Sequence, residues 1–242
     1  MDSLASVKAF IFDFTGTIYD IDSDLEAHRR LAHYLVEKYE LDVTPDSLHQ
    51  TANRLIALYL RSLKKGEYLS GSQIMKGLWR RLCTVFGLPS TQSALEDFIE
   101  TTKSYHLYYA QSVPGANALL QKLKERGYEL ALVSQIDEEL LQLILEELEL
   151  NNAFDVVVSA EQVAKARPDP AVIAAAVEEL GLEPGKIAMV GDDSVCDVDP
   201  AASLGLKTVL FDDELAGAAI EGRAEPDFRI QRLLDLLALT KN

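Results

Sequence analysis

The residues best suited to chemistry in this sequence stand at or just beyond the ends of short apolar runs. The run VKAFIFD ends at Asp13, YELALVS ends at Ser134, and KIAMV leads into GDDSVCD. These stretches, with the segment Phe14–Thr17 that follows the first, supply carboxylates and hydroxyls: Asp13, Thr15, Thr17, Ser134, Asp192, Asp193 and Asp197. Oxygen ligands of this kind are what Mg²⁺ takes, and a further carboxylate can orient its waters. The pattern therefore predicts a magnesium site in which Asp13 is a metal ligand, a nucleophile, or both.

Basic side chains follow a fourth apolar run, DVVVS, in the segment Lys165-Ala166-Arg167-Pro168. A residue before proline prefers extended backbone, so we do not expect Arg167 inside a helix. In an extended segment Lys165 and Arg167 point to the same side, and either could neutralise a phosphoryl group. Ser134 could hydrogen-bond an oxygen of that group. Positioning and charge neutralisation of this kind are the work that phosphoryl transfer requires.

Each of these residues also has an ordinary structural explanation. Asp13 taken alone would be a turn or cap residue, and Ser134 could cap a helix that begins near Asp137. Lys165 and Arg167 could be surface charges. The acidic run after residue 191 could be a solvated loop, but adjacent carboxylates repel one another unless a cation lies between them. The occurrence of all four sites together favours the chemical explanation.

Short β-branched runs alternate with helical patterns in the second half of the chain, which predicts a parallel α/β sheet. Strands are predicted at residues 7–14, 128–134, 155–159, 186–190 and 207–211, with a short edge strand at 227–230. In such a Rossmann-like sheet, ligands bind beyond the carboxyl ends of the strands, near the point where strand order reverses. The candidate residues follow these ends, so the sheet would bring them together.

The stretch from about residue 20 to 109 carries no strand-like run but four helical segments, separated at Pro45, Gly71 and Pro89. We predict an inserted α-helical cap domain over residues 20–109 and an α/β core domain over 1–19 and 110–242. Partly exposed helix positions without metal-ligand spacing are expected for all four histidines: His28, His33, His49 and His106. Positions in the core of the cap are expected for Trp79, Tyr108 and Tyr109.

The four motifs resemble, in order, those of the haloacid dehalogenase-like (HAD) superfamily of hydrolases. That family has an apolar strand ending in Asp-x-Asp-Gly-Thr and a second strand ending in Ser or Thr. It then has a basic residue, usually before a proline, and Gly-Asp followed by another Asp. The matching segments here are Asp13-Phe14-Thr15-Gly16-Thr17, Ser134, Arg167-Pro168, and Gly191-Asp192 with Asp197. The resemblance covers essentially the entire chain, because a helical cap inserted after the first motif is the family's common arrangement.

The resemblance implies a role for each matched residue. Asp13 would be the nucleophile that forms an aspartyl-phosphate, and it would hold Mg²⁺ together with Asp192 and the Thr15 carbonyl. Asp197 would orient the metal site and is included among the predicted metal-binding residues. The predicted catalytic residues are Asp13, Thr15, Ser134, Lys165 and Arg167, and the predicted substrate-binding residues are Thr17, Ser134 and Gln135.

Two positions depart from the pattern of the family's phosphatases. Thr15 stands where they place a second aspartate as general acid and base, and Arg167 stands where most have lysine. Threonine at this position matches the cation-pumping P-type ATPases, whose aspartyl-phosphate is long-lived. Arginine before the proline is similar to phosphonoacetaldehyde hydrolases, which carry alanine at the Thr15 position. A phosphonatase- or dehalogenase-like hydrolase, and a low-turnover binding or regulatory protein on this fold, are therefore alternatives.

Composition and charge narrow the function classes further. With 48% hydrophobic and 26% charged residues, the chain has the composition of a soluble globular protein. Its net charge of −16 would repel nucleic acid and anionic membrane surfaces. No apolar run approaches the ~20 residues that span a bilayer, and the N-terminus lacks a signal-peptide pattern, so a cytoplasmic location is expected. We expect a Mg²⁺-dependent phosphatase that acts on a small phosphorylated metabolite.

Overall fold

The computed structural model describes residues 4–62, 68–212 and 222–240. Its centre is a six-stranded parallel sheet with the strand order β3-β2-β1-β4-β5-β6. The strands are β1 (Ala9–Asp13), β2 (Glu129–Ser134), β3 (Val156–Ser159), β4 (Ile187–Gly191), β5 (Lys207–Phe211) and β6 (Phe228–Ile230). Every residue of β1 and β4 is buried, as expected for apolar strands covered on both faces. The predicted α/β fold class is confirmed.

The strand register aligns the carboxyl ends of the inner strands. Asp13 of β1 pairs with Val133 of β2, and Ser134 pairs with Ser159 of β3. From β1 the chain builds the sheet outward through β2 and β3 on one side and through β4, β5 and β6 on the other. Strand order therefore reverses next to β1, which is where a ligand crevice is expected in an open α/β sheet.

In the described ranges, short helices flank the sheet, five of them before its later strands and one after β6. They are α5 (Ala116–Glu125), α6 (Glu138–Glu147), α7 (Ala160–Val163), α8 (Ala171–Leu180), α9 (Asp199–Ser203) and α10 (Leu236–Leu239). The sequence pattern predicts one closing helix over residues 231–241, of which residue 241 lies outside the described ranges. Within residues 231–240 the structure instead has a 3₁₀ turn at Leu233–Asp235 followed by the single helical turn of α10. Sequence periodicity also did not predict α7, a single turn whose capping box joins Ser159 and Gln162.

The chain divides into two compact units, Met1–Asp20 with Gln111–Asn242, and Ile21–Ala110. The sequence predicted the inserted segment at residues 20–109. In the first unit, backbone hydrogen bonds join the two ends of the insertion: the Asp20 N–H donates to the Gln111 carbonyl at 2.9 Å. None of the helices in the described ranges is long and apolar enough to cross a membrane.

The helical unit contains α1 (Ile21–Lys38), α2 (Pro45–Arg61), α3 (Gly71–Phe86) and α4 (Gln92–Tyr108). Three of these helices begin at N-cap residues. The side chains of Thr44, Ser70 and Thr91 accept backbone N–H groups in the first turns of α2, α3 and α4. Trp79 stacks on Phe98 in the core of this unit, with ring centroids 4.9 Å apart. The sequence pattern predicts the second helix over residues 45–65, and residues 63–65 of this prediction lie outside the described ranges.

Two expectations about the helical unit are wrong. His106 is not a partly exposed position, because only 6% of its surface is exposed. Tyr108 does not belong to the core of the unit, because 79% of its surface is exposed. Helical periodicity cannot separate these cases: both residues lie in the last turn of α4, where one side contacts α1 and the other faces solvent.

Candidate active site

The end of β1 and the turn after it place Asp13 at the centre of the sheet edge. Asp13 is buried, with 2% of its surface exposed. The turn is closed by the Phe14 carbonyl, which accepts the N–H groups of both Ile18 and Tyr19 at 2.8 Å. Gly16 has a φ of +94°, and a Cβ at this position would overlap the Asp192 carboxylate. Glycine is thus required here for the backbone conformation and for close approach of the two motifs.

The acidic segment after β4 forms a π-helical turn, Ser194–Val198. The Asp193 carboxylate accepts the backbone N–H groups of Val195 at 2.7 Å and Cys196 at 2.8 Å. This carboxylate therefore caps the turn, a role that the sequence analysis did not predict. A π-turn often marks a functional site, and here it directs the next carboxylate, Asp197, back toward the strand ends.

Asp197 is held against the end of β4. Its Oδ2 accepts the N–H of Asp193 at 3.1 Å, and only 1% of the residue is exposed. A Cβ on Gly191 would overlap this carboxylate, so glycine at the strand end makes the space that Asp197 occupies.

The three carboxylates of Asp13, Asp192 and Asp197 meet at this point. One oxygen from each lies within 4.8 Å of the others. The Arg167 guanidinium joins them: its Nη2 is 2.5 Å from Asp13 Oδ1, and its Nη1 contacts Asp197 Oδ1. The Arg167 side chain is only 8% exposed. Three carboxylates and one guanidinium in a buried cluster have a formal charge of −2 when all are ionised.

The pKa shifts reflect this excess of negative charge. Burial, followed by the charge of Asp13, raises the pKa of Asp192 to about 7. The same two causes raise the pKa of Asp197 well above its ordinary value, although Arg167 opposes them. Burial disfavours the charged guanidinium, but Asp13 and Asp197 outweigh it and hold the pKa of Arg167 above its ordinary value. One arginine therefore does not offset the charge of the cluster.

The residues present fit a divalent cation such as Mg²⁺. The donors are carboxylate oxygens, which this cation prefers, and glycine at positions 16 and 191 lets two of the carboxylates approach the strand ends closely. Both oxygens of Asp197 already contact donors on Arg167 and Asp193, which suits an orienting role. Asp13 and Asp192 are then the carboxylates best placed to bind the cation directly.

The hydroxyl residues lie around this cluster with different partners. Thr17 is completely buried, and its hydroxyl donates to Asp192 Oδ1 at 3.4 Å. Ser134 is 1% exposed, and its Oγ accepts the N–H of Ile136 at 3.1 Å, which leaves its own hydroxyl hydrogen to donate. Thr15 is half-buried in the turn after β1.

The two candidate basic residues lie in different environments. Arg167 contacts two carboxylates of the cluster, whereas Lys165 Nζ is 3.8 Å from Asp169 and its side chain is 45% exposed. The expectation that both would point to the same side is not met, because Arg167 and Pro168 lie in a turn and not in an extended segment. The structure thus brings Arg167, but not Lys165, to the strand ends.

Comparison with known proteins agrees with this geometry. The model of the haloacid dehalogenase-like hydrolase family matches residues 7–205. The chain belongs to this family. The match to the phosphoglycolate phosphatase of Aquifex aeolicus (strain VF5) is 32% identical over 242 residues and covers 98% of each chain. The pyrophosphatase PpaX of Bacillus velezensis is 31% identical over 121 residues, which is 50% of this chain and 56% of the relative.

Solved structures show the same fold. A crystal structure of a dehalogenase with an intermediate complex aligns with a TM-score of 0.71 over 98% of this chain and 99% of the other, at 23% identity. This haloacid dehalogenase-like hydrolase therefore shares its architecture with enzymes of more than one named activity. The chemistry has to be argued from its own residues.

One contact in this haloacid dehalogenase-like hydrolase was not foreseen from the sequence. Gln135, predicted to bind substrate, directs its side-chain amide toward Arg167. The two residues are far apart in sequence, and only the pairing of β2 with β3 brings their loops together, so residue type and spacing carried no signal for the contact.

Proposed function

We propose that this hydrolase is a Mg²⁺-dependent phosphatase that acts on a small phosphorylated metabolite through an aspartyl-phosphate at Asp13. The observation that carries the proposal is the meeting of three carboxylates, Asp13, Asp192 and Asp197, with a single guanidinium, Arg167. When all four groups are ionised, the formal charge of this cluster is −2. A divalent cation would neutralise that charge and would supply electrostatic stabilisation of a phosphoryl group. A 2-haloacid has no phosphoryl charge that calls for such a cation, so the cluster favours the phosphatase.

The residues of the chain would then divide the reaction between them. An oxygen of Asp13 attacks phosphorus, the bond from phosphorus to the leaving oxygen breaks, and that oxygen departs with the electron pair and takes up a proton. Arg167 and the Ser134 hydroxyl offer N–H and O–H donors to the phosphoryl oxygens. In the second step water attacks the same phosphorus, phosphate is released, and the Asp13 carboxylate is regenerated.

Thr15 bears on the substrate class. A positioned carboxylic acid contributes typically ~10²–10⁴ in rate by protonating the leaving group, and a threonine hydroxyl supplies a proton less readily. A leaving group that departs without protonation avoids this loss. We therefore expect acyl phosphates, anhydrides and aryl phosphates to react faster than alkyl phosphates, and phosphorylated Asp13 to be comparatively long-lived.

The test is a substrate comparison with purified protein. Acetyl phosphate, pyrophosphate, p-nitrophenyl phosphate, 2-phosphoglycolate and 2-chloropropionate are each incubated with Mg²⁺ and with EDTA. Phosphate release that needs Mg²⁺ and disappears in Asp13→Asn is the expected result. Asp42→Asn, which alters an exposed aspartate of the helical unit, is the matched control and should retain activity.

Three results would contradict the proposal. Chloride release from 2-chloropropionate without phosphate release would show a dehalogenase. Phosphate release that persists in Asp13→Asn would exclude the aspartyl-phosphate. Absence of turnover with every substrate, together with a bound phosphorylated compound, would show a binding or regulatory protein.

A further inference from the structure

The Arg167 guanidinium is held from three directions by three different residues. Nη2 contacts Asp13, Nη1 contacts Asp197, and Nε faces the side-chain amide of Gln135. The same amide also faces the backbone N–H of Arg167. Both of these Arg167 groups are N–H donors, so the amide oxygen of Gln135 must be the atom directed at them. The oxygen then accepts from the backbone N at 2.7 Å and from Nε at 3.3 Å.

This arrangement is not the one that a guanidinium adopts with a single carboxylate. Arginine commonly pairs with one carboxylate through two parallel N–H···O bonds. Here the two Nη atoms are divided between Asp13 and Asp197, and Arg167 contacts only Oδ1 of the two Asp13 oxygens. If the guanidinium turned to pair with Asp13 through both oxygens, the proposed nucleophile would have neither oxygen free. Such a change requires the guanidinium to rotate about the bonds of its side chain.

The contact with Gln135 opposes that rotation. By accepting from Nε, the Gln135 oxygen restricts the plane of the guanidinium. By accepting from the backbone N–H of Arg167, the same oxygen also holds the segment that carries the side chain. Gln135 directly follows Ser134 at the end of β2, so its own backbone is anchored in the sheet. Exposure of Gln135 is compatible with this role, because only its oxygen faces the buried arginine.

We propose that Gln135 is a positioning residue, which holds the Arg167 guanidinium across Asp13 and Asp197 so that one oxygen of Asp13 stays free to react. The inference rests on the proposed function of Asp13 as nucleophile. It differs from the sequence prediction that Gln135 binds substrate, since the oxygen acts on the arginine and not on the ligand.

The test compares Gln135→Met, which keeps the length of the side chain but removes the acceptor, with Gln135→Glu, which retains an acceptor oxygen. Gln142→Met is the matched control, because Gln142 lies on α6 and hydrogen-bonds only Glu146 among the described residues. Steady-state hydrolysis of p-nitrophenyl phosphate with Mg²⁺ gives kcat and KM. The Arg167 Nε–H signal in ¹⁵N NMR, assigned by its loss in Arg167→Lys, reports the contact without any turnover.

We expect Gln135→Met to lower kcat about ten- to a hundredfold, with KM changed less than about twofold. This is the usual range for residues that hydrogen-bond and orient the groups that contact the reacting centre. The Arg167 Nε–H signal of Gln135→Met should shift and exchange faster with solvent. Gln135→Glu should keep the signal protected and recover part of kcat, and Gln142→Met should match the wild type.

Other outcomes overturn the inference. A rise in KM with unchanged kcat in Gln135→Met would show that Gln135 binds substrate. An unchanged Nε–H signal would show that the contact does not hold the arginine. If the wild type hydrolyses no phosphate compound, the proposed function fails, while the NMR comparison still decides whether Gln135 fixes Arg167.

Discussion

The buried His106 makes the free energy of unfolding depend on pH. Its side chain is 7% exposed, its ring packs edge-on against His28 at 4.9 Å, and its Nδ1 is 3.4 Å from Asp24 Oδ1. Burial lowers the pKa of His106 from 6.5 to about 4; Asp24 opposes this shift and His28 adds to it. The imidazole is therefore neutral in the folded protein at pH 7.

The sign and size of the effect follow from the two pKa values. Between pH 6.5 and 4 the unfolded chain binds a proton that the folded chain does not, so the free energy of unfolding falls as the pH falls. The full loss below pH 4 is about 3 kcal/mol at 1.36 kcal/mol per pKa unit. At pH 5 the loss is already about 2 kcal/mol. Above pH 6.5 this histidine contributes no pH dependence.

The assay uses Trp79, the only tryptophan of the chain, which is 2% exposed in the core of the helical unit. Its fluorescence during urea unfolding reports this unit alone. The free energy of unfolding is measured at pH 7.5 and pH 5 for the wild type, His106→Gln and His33→Gln, the last being an exposed control.

We expect the loss between the two pH values to be about 2 kcal/mol smaller in His106→Gln than in the wild type and in His33→Gln. The same loss in all three proteins would refute the assigned pKa. A larger loss in His106→Gln would mean that Asp24 wins over burial and that the histidine is charged in the fold.

Three further predictions concern the candidate active site. Gly191→Ala should lower the free energy of unfolding by about 1–3 kcal/mol, because its Cβ overlaps Asp197, whereas Gly185→Ala, with no atom near its Cβ, should change it by less than about 0.5 kcal/mol in the same urea titration. Mg²⁺ at a hundred times Kd should increase the free energy of unfolding by about 2.7 kcal/mol and so raise the Tm, and calorimetry of Asp192→Asn should show a smaller rise in Tm. Thr15→Asp should speed alkyl-phosphate hydrolysis at least tenfold; an unchanged rate would mean that another group supplies the proton.

The sheet could be predicted from the sequence, because parallel strands that are buried on both faces have continuous apolar sequences that end at turn residues. The predicted strand at 128–134 begins one residue before Glu129–Ser134, and that at 207–211 coincides with β5. Short elements were less predictable. The single turn of α7 and the π-turn after Asp193 depend on side-chain caps, which leave little periodicity to detect.

Within the candidate site, residues at strand ends could be predicted because topology alone collects them at one edge. What could not be predicted is the division of labour among them. Asp193 and Asp197 have the same side chain four residues apart, yet one caps a turn and the other reaches Arg167. Likewise, Lys165 and Arg167 are both basic and lie two residues apart, yet only Arg167 contacts the carboxylates of the cluster. Such differences depend on a few backbone angles, which residue types do not specify.

The position of the insertion between β1 and β2 has a consequence for how the protein is made. Ala9 of β1 pairs with Glu129 and Ile187, so the strand that carries Asp13 is synthesised long before either partner. The helical unit, built from contacts that are nearer in sequence, is expected to form first. Once α1 and α4 pack together, the chain from Asp20 to Gln111 behaves as a short loop, so the entropic cost of pairing β1 with β2 is smaller. We therefore expect the inserted unit to favour the pairing of β1 with β2 during folding.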